Sequence, residues 1–265
     1  MDDIQILIVD YGSQYTLVIG RTLRELGVRS VILPPSKVDK WFKNNTPKAV
    51  ILSGSNWSVH NKEAPRLPKS LNITDKGKNQ KYLILGICYG MQLLAHKLGG
   101  KVERPLAHRE YGPAKVTLDT THPLFNSIPK NTRVWASHGD TVTKLPKSFF
   151  SIATSGGIAA MSDKTNRIFG IQFHPEVINT KDGKKILQNF LKLSSCQKDW
   201  NPENLIHQIQ KEVLEIVNKN KKNVILGVSG GVDSTTLAAI LAPVLGKKLI
   251  CVAIDTGGLR EGEIS

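Results

Sequence analysis

Short apolar runs that alternate with amphipathic stretches constrain the fold of this chain more than any other feature of its sequence. Three runs have the length and apolar content of buried strands: Ile4–Val9, Val28–Leu33 and Lys48–Leu52. Helical spacing between Leu17 and Leu26 separates the first two, and a short helix around Asp39–Lys43 separates the next pair. This alternation predicts parallel βαβ units in an α/β fold, with a mostly parallel central sheet flanked by helices.

The pattern becomes richer in strands after Lys115. Short strand-like runs follow one another as far as His174, with few helical stretches between them, and an amphipathic helix over 182–193 would close this domain. We therefore expect a first domain over residues 1–195 and a linker helix over 196–221.

A second, Rossmann-like domain is expected to begin at residue 222. Residues 223–246 have the pattern of a strand, a glycine-rich loop and a helix, and residues 248–258 begin with another strand. Pro243 is expected to kink or end that helix near Ala242. Residues 222–265 hold about one βαβ unit, fewer than the roughly 100 to 200 residues of an ordinary domain, so we expect this domain to be incomplete.

The composition is that of a soluble globular protein with reduced cysteines. Of the 265 residues 40% are hydrophobic and 22% charged, and three cysteines are too few for a disulfide framework. Neither a signal peptide nor a membrane-length apolar run is present, so we expect a cytoplasmic protein without a membrane partner. The net charge of +14 comes largely from scattered lysines. This favours solvated surfaces over a nucleic-acid partner, with attraction of phosphorylated small molecules as a third interpretation.

Cys88 lies where a strand pattern changes to a helix pattern, in "LGICYGMQLLA" (85–95). Gly86 and Gly90 allow a tight turn and a close approach of the helix. A cysteine on such an elbow would stand above the strand ends, where the positive end of the helix favours its reactive thiolate. Free cysteine is also among the most buried residue types, so a small core side chain remains an alternative.

A histidine and a glutamate at the end of another strand supply the groups that a cysteine nucleophile needs. In "FGIQFHPEV" (169–177), His174 ends the strand, Pro175 stiffens the turn, and Glu176 can hold the imidazole in one tautomer. Alone, a His-x-Glu sequence is more typical of a surface turn. Because both elbows lie at strand carboxyl ends, where α/β sheets place their sites, the pair favours catalysis.

The loop "LGVSGGVDST" (226–235) has the pattern of an anion site at a helix N-terminus. Backbone N–H groups there can bind phosphate, and Asp233 can approach Mg²⁺. The spacing differs from a Walker A loop. A plain tight turn is the alternative, but the position between a buried strand and an apolar helix favours the anion site.

Four motifs together, "DYGSQYT", "GICYGMQ", "WASHGD" and "FGIQFHPEV", resemble the class I glutamine amidotransferases over residues 4 to about 195, and in particular the GMP-forming branch of that family. The resemblance implies that Cys88, His174 and Glu176 form a triad that hydrolyses glutamine to glutamate and ammonia. It also implies oxyanion donors near Gly54 and Tyr89. The glutamine pocket or a domain contact would then be formed by Gln92, Ser137, His138 and Asp140.

The glycine-rich loop resembles the PP-loop of ATP pyrophosphatases, which in the GMP-forming branch follows the amidotransferase domain. The resemblance implies Mg²⁺ and ATP as a substrate complex, with Asp233 on the metal, and ammonia-dependent amination of XMP. The nucleotide-binding residues would be Ser229, Gly230, Gly231, Val232, Asp233, Ser234 and, in "IDTGGLR", Asp255. It also implies a homodimer of the full-length enzyme, formed by parts beyond Ser265.

One loop departs from the family pattern. The family reads Ser-Gly-Gly-Pro after its third strand, whereas this chain reads "SGSNWSV" over 53–59. This loop ordinarily supplies an oxyanion N–H, and Ser55 would be strained if its backbone needed a positive φ. Two alternatives therefore remain: a glutaminase of another pathway, and a degenerate or truncated amidotransferase-like protein that binds or regulates without catalysis.

Overall fold

The computed structural model describes residues 4–74, 81–104 and 110–253, and the chain divides into two compact units, Met1–Asp199 and Trp200–Ser265. In chain order the first unit contains β1 (Ile6–Val9), α1 (Thr16–Glu25), β2 (Ser30–Leu33), α2 (Pro35–Trp41), β3 (Ala49–Leu52), β4 (Leu83–Ile87), α3 (Tyr89–Lys97), β5 (Lys101–Glu103), β6 (Glu110–Leu118), β7 (Asn131–His138), β8 (Thr141–Lys144), β9 (Phe149–Thr154), β10 (Ile158–Asp163), β11 (Ile168–Ile171) and α4 (Gly183–Leu193).

A sheet of nine strands, counted over the described residues, organises the first unit in the order β2-β1-β3-β4-β11-β10-β9-β6-β7. The first five strands of this order are parallel, and the remaining pairings are antiparallel. The expected α/β fold is thus confirmed, and the strand-rich second half extends the same sheet. Strands β4 and β11 are neighbours, so the segments that follow them meet at one edge.

Apolar layers cover both faces of this sheet. Along β1, Ile6 and Ile8 belong to one buried cluster, and Leu7 and Val9 belong to the other. All four side chains are fully buried, which explains why the strand is a continuous apolar run rather than an alternating one.

The second unit contains α5 (Pro202–Asn220), β12 (Val224–Gly227), α6 (Val232–Leu245) and β13 (Leu249–Val252). Strands β12 and β13 pair in parallel. The segment expected to link the domains forms α5, which packs within this unit: Val217 shares a small apolar cluster with Leu241 and Leu245 of α6.

Two helices differ from the predictions at their ends. Helix α2 begins at Pro35, earlier than expected, because proline suits the first turn of a helix, where its missing N–H is not needed. Pro243 was expected to kink or end its helix near Ala242; the helix does not end there, since α6 continues to Leu245. Proline removes one backbone hydrogen bond, and the last turn of α6 accommodates that loss. Within the described residues, none of the helices has the length and apolar character needed to cross a membrane.

Candidate active site

Cys88 occupies a strained turn between β4 and α3. Its backbone has φ +51° and ψ −106°, a conformation that residues other than glycine rarely adopt. The glycines on either side have no room for a side chain: a Cβ on Gly86 would lie 2.5 Å from the carbonyl carbon of Gly90, and one on Gly90 would meet the carbonyl oxygen of Leu52. Close packing of α3 on the strands therefore forces the turn at Cys88.

The three predicted triad residues come together beyond β4 and β11. His174 Nδ1 lies 2.8 Å from Glu176 Oε1, and the other ring nitrogen is left for a hydrogen bond with Cys88. All three residues are buried, with exposed fractions of 4% for Cys88, 3% for His174 and 6% for Glu176. This order of groups is the one in which a base activates a nucleophile and a carboxylate orients the base.

Thr180 holds the His174 backbone in place, and no sequence motif pointed to it. Its hydroxyl donates to the His174 carbonyl oxygen at 2.5 Å and accepts from the Trp135 N–H at 2.9 Å. The His174 N–H in turn donates to the Trp135 carbonyl oxygen at 3.0 Å. His174 is thus tied to β7 by one direct hydrogen bond and by two that pass through Thr180. Tyr15, from the segment before α1, adds an edge contact with the imidazole at a centroid distance of 4.9 Å.

The charged form of His174 is favoured at this site. Burial acts against the imidazolium, but Cys88 and Glu176 outweigh it through hydrogen bonds and charge, and they raise the pKa of His174 to about 10. The arrangement can therefore hold an imidazolium beside the sulfur and deliver a proton to a leaving group.

A cavity of about 370 Å³ opens in front of Cys88 within the described part of the chain. Its lining includes the four residues predicted for the glutamine pocket, namely Gln92, Ser137, His138 and Asp140. It also includes four that sequence reasoning missed: Trp57, Asn61, Arg104 and Tyr111. These four residues lie outside the motifs that resemble the family. The one signal in the sequence was the loop over 53–59, which differs from the family pattern and contains Trp57.

Two predicted oxyanion residues lie beside the cavity rather than in its lining. The Tyr89 ring is fully buried and its hydroxyl donates to the Pro65 carbonyl oxygen at 2.8 Å, so only its backbone N–H, in the first turn of α3, is suited to the role. Gly54 lies against the base: a Cβ there would be 3.1 Å from His174 Cε1. The absence of a side chain at 54 therefore gives the imidazole its space.

The condition under which Ser55 would be strained is not met. Its φ is not positive, so the serine is compatible with the backbone conformation. Its hydroxyl donates to the Tyr11 carbonyl oxygen at 2.7 Å and joins this loop to the end of β1. The departure from the family pattern thus leaves the loop anchored.

Arg104 and Asp140 place charges of opposite sign along the cavity. Arg104 Nε is 3.8 Å from Asp140 Oδ1, and Asp140 Oδ2 is buried without a hydrogen-bond partner among the described residues. His138 Nε2 lies 3.4 Å from Glu110 Oε2. Burial lowers the pKa of His138, although Glu110 acts in the opposite direction.

The predicted anion site in the second unit is an exposed loop at the N-terminus of α6. Gly230 has φ +74°, and the Ser229 N–H donates to Ser234 Oγ at 3.2 Å. Asp233 lies exposed in the first turn, where backbone N–H groups lack partners within the helix. Asp255 lies outside the described residues. Within those residues, no group of three or more histidine, cysteine, aspartate or glutamate side chains is arranged to hold a metal ion.

Comparisons of sequence match both units of the chain to known families. A family model described as "Glutamine amidotransferase class-I" matches residues 7–193, and one described as "NAD synthase" matches residues 204–256. The glutamine-hydrolysing GMP synthase of Treponema denticola is 42% identical over 262 residues, which are 98% of this chain and 48% of the relative. That of Thermosipho melanesiensis is 43% identical over 266 residues, 97% of this chain and 49% of the relative. The chain thus spans about half the length of the curated relatives it matches.

Two of the solved structures with the same fold are proteins from Thermoplasma acidophilum and Thermotoga maritima. A Thermoplasma acidophilum protein, provisionally named as one subunit of GMP synthase, has a TM-score of 0.59 and 29% identity, over 74% of this chain and 96% of that one. A glutamine amidotransferase from Thermotoga maritima has a TM-score of 0.55 and 19% identity, and the match covers 94% of this chain and 99% of that one. The second likeness concerns the fold alone.

Proposed function

The chain belongs to the class I glutamine amidotransferase family, and we propose that its first unit hydrolyses glutamine to glutamate and ammonia through Cys88, His174 and Glu176. One observation carries the proposal: a buried imidazole stands between the Cys88 sulfur and the Glu176 carboxylate, at the edge where β4 and β11 end. Taken alone, Cys88 could be a core side chain and the His-x-Glu segment a surface turn. Neither alternative explains why Cys88 and His174 lie side by side.

The chemistry follows from the order of these groups. The Cys88 thiolate forms a bond to the side-chain carbonyl carbon of glutamine, and the carbonyl electrons become an oxyanion. His174 gives its proton to the nitrogen as the carbon–nitrogen bond breaks, so that ammonia leaves and a thioester remains. Neutral His174 then takes a proton from water, which attacks the thioester carbon, and sulfur leaves as thiolate with glutamate. Backbone N–H groups of Tyr89 and of the loop at Gly54 would receive the oxyanion.

The cavity beside Cys88 has charges suited to the other end of glutamine. Arg104 can pair with the α-carboxylate, and the buried, unpartnered Asp140 Oδ2 can accept from the α-ammonium group. Arg104 and Asp140 are close enough to bind both charges of one amino acid. This supports an α-amino acid as the substrate.

We further propose that the second unit begins a synthetase that takes the ammonia, as in a glutamine-hydrolysing GMP synthase. The similarity to relatives with that name supports this, as does the exposed N-terminus of α6, which offers backbone N–H groups to an anion. Residues Ser229–Ser234 would hold the pyrophosphate of ATP, and Asp233 would approach Mg²⁺. Mg-ATP would supply the activation of XMP for its amination. Dimerisation of the longer protein stays a prediction.

The test is the release of glutamate from glutamine by this chain and by Cys88→Ala. We expect the substitution to lower the rate by roughly 10⁴-fold or more, because the covalent route is lost. Cys196→Ala, at a half-buried cysteine elsewhere in the first unit, is the control and should retain the rate. Release that survives in Cys88→Ala would overturn the triad. If the unsubstituted chain, with its cysteines in the thiol form, also releases no glutamate, the result would favour the non-catalytic alternative.

A further inference from the structure

Gln172 is a buried side chain beside the reacting sulfur, and the proposed triad gives it no role. It follows β11, two residues before His174, and only 3% of it is exposed. Its Nε2 lies 3.7 Å from Cys88 Sγ, a hydrogen-bond distance for sulfur. Its backbone N–H donates to the Ala159 carbonyl oxygen at 2.8 Å, which fixes the residue to β10.

The direction of the Gln172 amide is set by a chain of hydrogen bonds that starts at Asp140. The backbone oxygen of Asp140 can only accept, so the group 2.8 Å from it is the amino group of Gln92. The same amino group lies 3.5 Å from Gln172 Oε1 and has a second hydrogen for it. Gln172 therefore turns its oxygen toward Gln92 and its N–H groups toward Cys88.

An N–H group that points at sulfur favours the thiolate over the thiol, because the charged sulfur is the stronger acceptor. The Ser137 carbonyl oxygen, 3.7 Å from Sγ, acts in the opposite direction, since it accepts from the thiol. His174, with Glu176 behind it, is the titratable partner, and the His138–Glu110 pair stands at the end of β7. Among these groups Gln172 is a donor that carries no charge and does not itself titrate.

We propose that Gln172 is a further catalytic residue: its side-chain amide donates a hydrogen bond to Cys88 Sγ and stabilises the thiolate, both before attack and when sulfur leaves the thioester. The inference rests on the proposed glutaminase function, in which Cys88 is the nucleophile. Gln92 then acts as a positioning residue, because its bond to Oε1 keeps the Gln172 amide from turning over.

The experiment measures how fast iodoacetamide alkylates Cys88 at different pH values, in a chain carrying Cys196→Ser and Cys251→Ser. Gln172→Met keeps the size of the side chain and removes the donor. We expect the midpoint of the alkylation profile to move up by about one pH unit, and kcat for glutamate release to fall about tenfold with little change in KM. Gln172→Glu still accepts a hydrogen bond from Gln92 but places a carboxylate beside the sulfur, so it should move the alkylation midpoint upward at least as far. This variant replaces Gln172→Met in the experiment if Gln172→Met does not fold.

Gln5→Met is the matched control, because Gln5 is a buried glutamine whose amide donates to the Gln197 backbone at 2.8 Å, away from the site motifs. Its alkylation midpoint should stay unchanged. An unchanged midpoint in both Gln172 variants would overturn the inference, even if kcat falls. A shifted midpoint in a chain that releases no glutamate would support the inference about sulfur and count against the proposed function.

Discussion

The two sites of this chain differ in how the protein holds them. In the first unit, Cys88, His174 and Glu176 are almost completely buried beyond the ends of β4 and β11. In the second unit, residues 229–233 are exposed, and the bond from the Ser229 N–H to Ser234 is local. A cysteine at φ +51° can persist only where packing enforces it. A glycine-rich turn needs no such support, because glycine adopts a positive φ freely.

The difference extends to the cores. The first unit has large apolar clusters on both faces of its sheet, whereas the described part of the second has one small cluster around Val217, Leu241 and Leu245. The sheet of the second unit also leaves apolar side chains exposed, for example Ile225 at 73%. The proposed triad is thus preorganised by burial, while the proposed anion loop depends on backbone conformation. Matched substitutions in the two units test this.

The largest difference is expected from neutralising one carboxylate in each unit. Glu176→Gln should lower glutamate release by roughly 10²- to 10⁴-fold, because an amide neither stabilises the imidazolium nor fixes its tautomer. Asp233→Asn, at an exposed position of α6, should leave the rate within about twofold, as surface substitutions usually do. Steady-state assays of both variants give the answer. Equal losses would mean that the two sites are coupled in this chain.

Replacing a glycine with alanine should lower the unfolding free energy much more in the first unit than in the second. A Cβ on Gly90 would be 2.7 Å from Leu52 Cβ and still closer to its carbonyl oxygen, so Gly90→Ala should cost roughly 3 kcal/mol of unfolding free energy. Gly227→Ala, in β12, meets nothing within 4 Å and should change stability by less than about 1 kcal/mol. Urea unfolding monitored by tryptophan fluorescence measures both. A tolerated Gly90→Ala would contradict the packing argument for the turn at Cys88.

The proton on His174 predicts a dependence of stability on pH that is specific to the first unit. The folded state raises the pKa of His174 to about 10, above its ordinary value near 6.5. The stabilisation is therefore complete below about pH 6.5 and is lost as the pH rises through 10, with a slope of at most about 1.4 kcal/mol per pH unit. Unfolding free energies of the chain and of His174→Gln, compared between pH 7 and 10, should converge. Values that diverge with rising pH would show the opposite sign.

The smallest effect concerns one hydroxyl in each loop. Ser55→Ala removes a partly buried hydrogen bond to the Tyr11 backbone and should cost about 1 kcal/mol. Ser234→Ala removes exposed bonds and should cost less than about 0.5 kcal/mol. Thermal unfolding compares the two. If Ser55→Gly instead stabilised the chain, the backbone at 55 would be strained after all.

Much of the fold could be predicted because short sequence patterns specify its strands and turns. Buried parallel strands read as continuous apolar runs, and glycines at 86 and 90 indicate a tight turn before the helix is seen. Helix ends were harder: a proline inside a helix removes one backbone hydrogen bond, yet α6 contains Pro243 and continues to Leu245. Whether Ser55 would be strained also stayed open at the level of sequence, because a family pattern does not specify this chain's backbone angles, and its φ is not positive.

The order of strands and helices, the family, and the residue types available for a triad could be read from the sequence alone. Which other side chains reach the site depends on the tertiary structure. Gln172 and Thr180 flank His174 along the chain, whereas Cys88 and Arg104 come from distant segments, and these residues meet because strand ends and loops converge at one edge of the sheet. Periodicity records which face of an element is buried, whereas the hydrogen-bond partner of one buried amide depends on the packing of several elements at once.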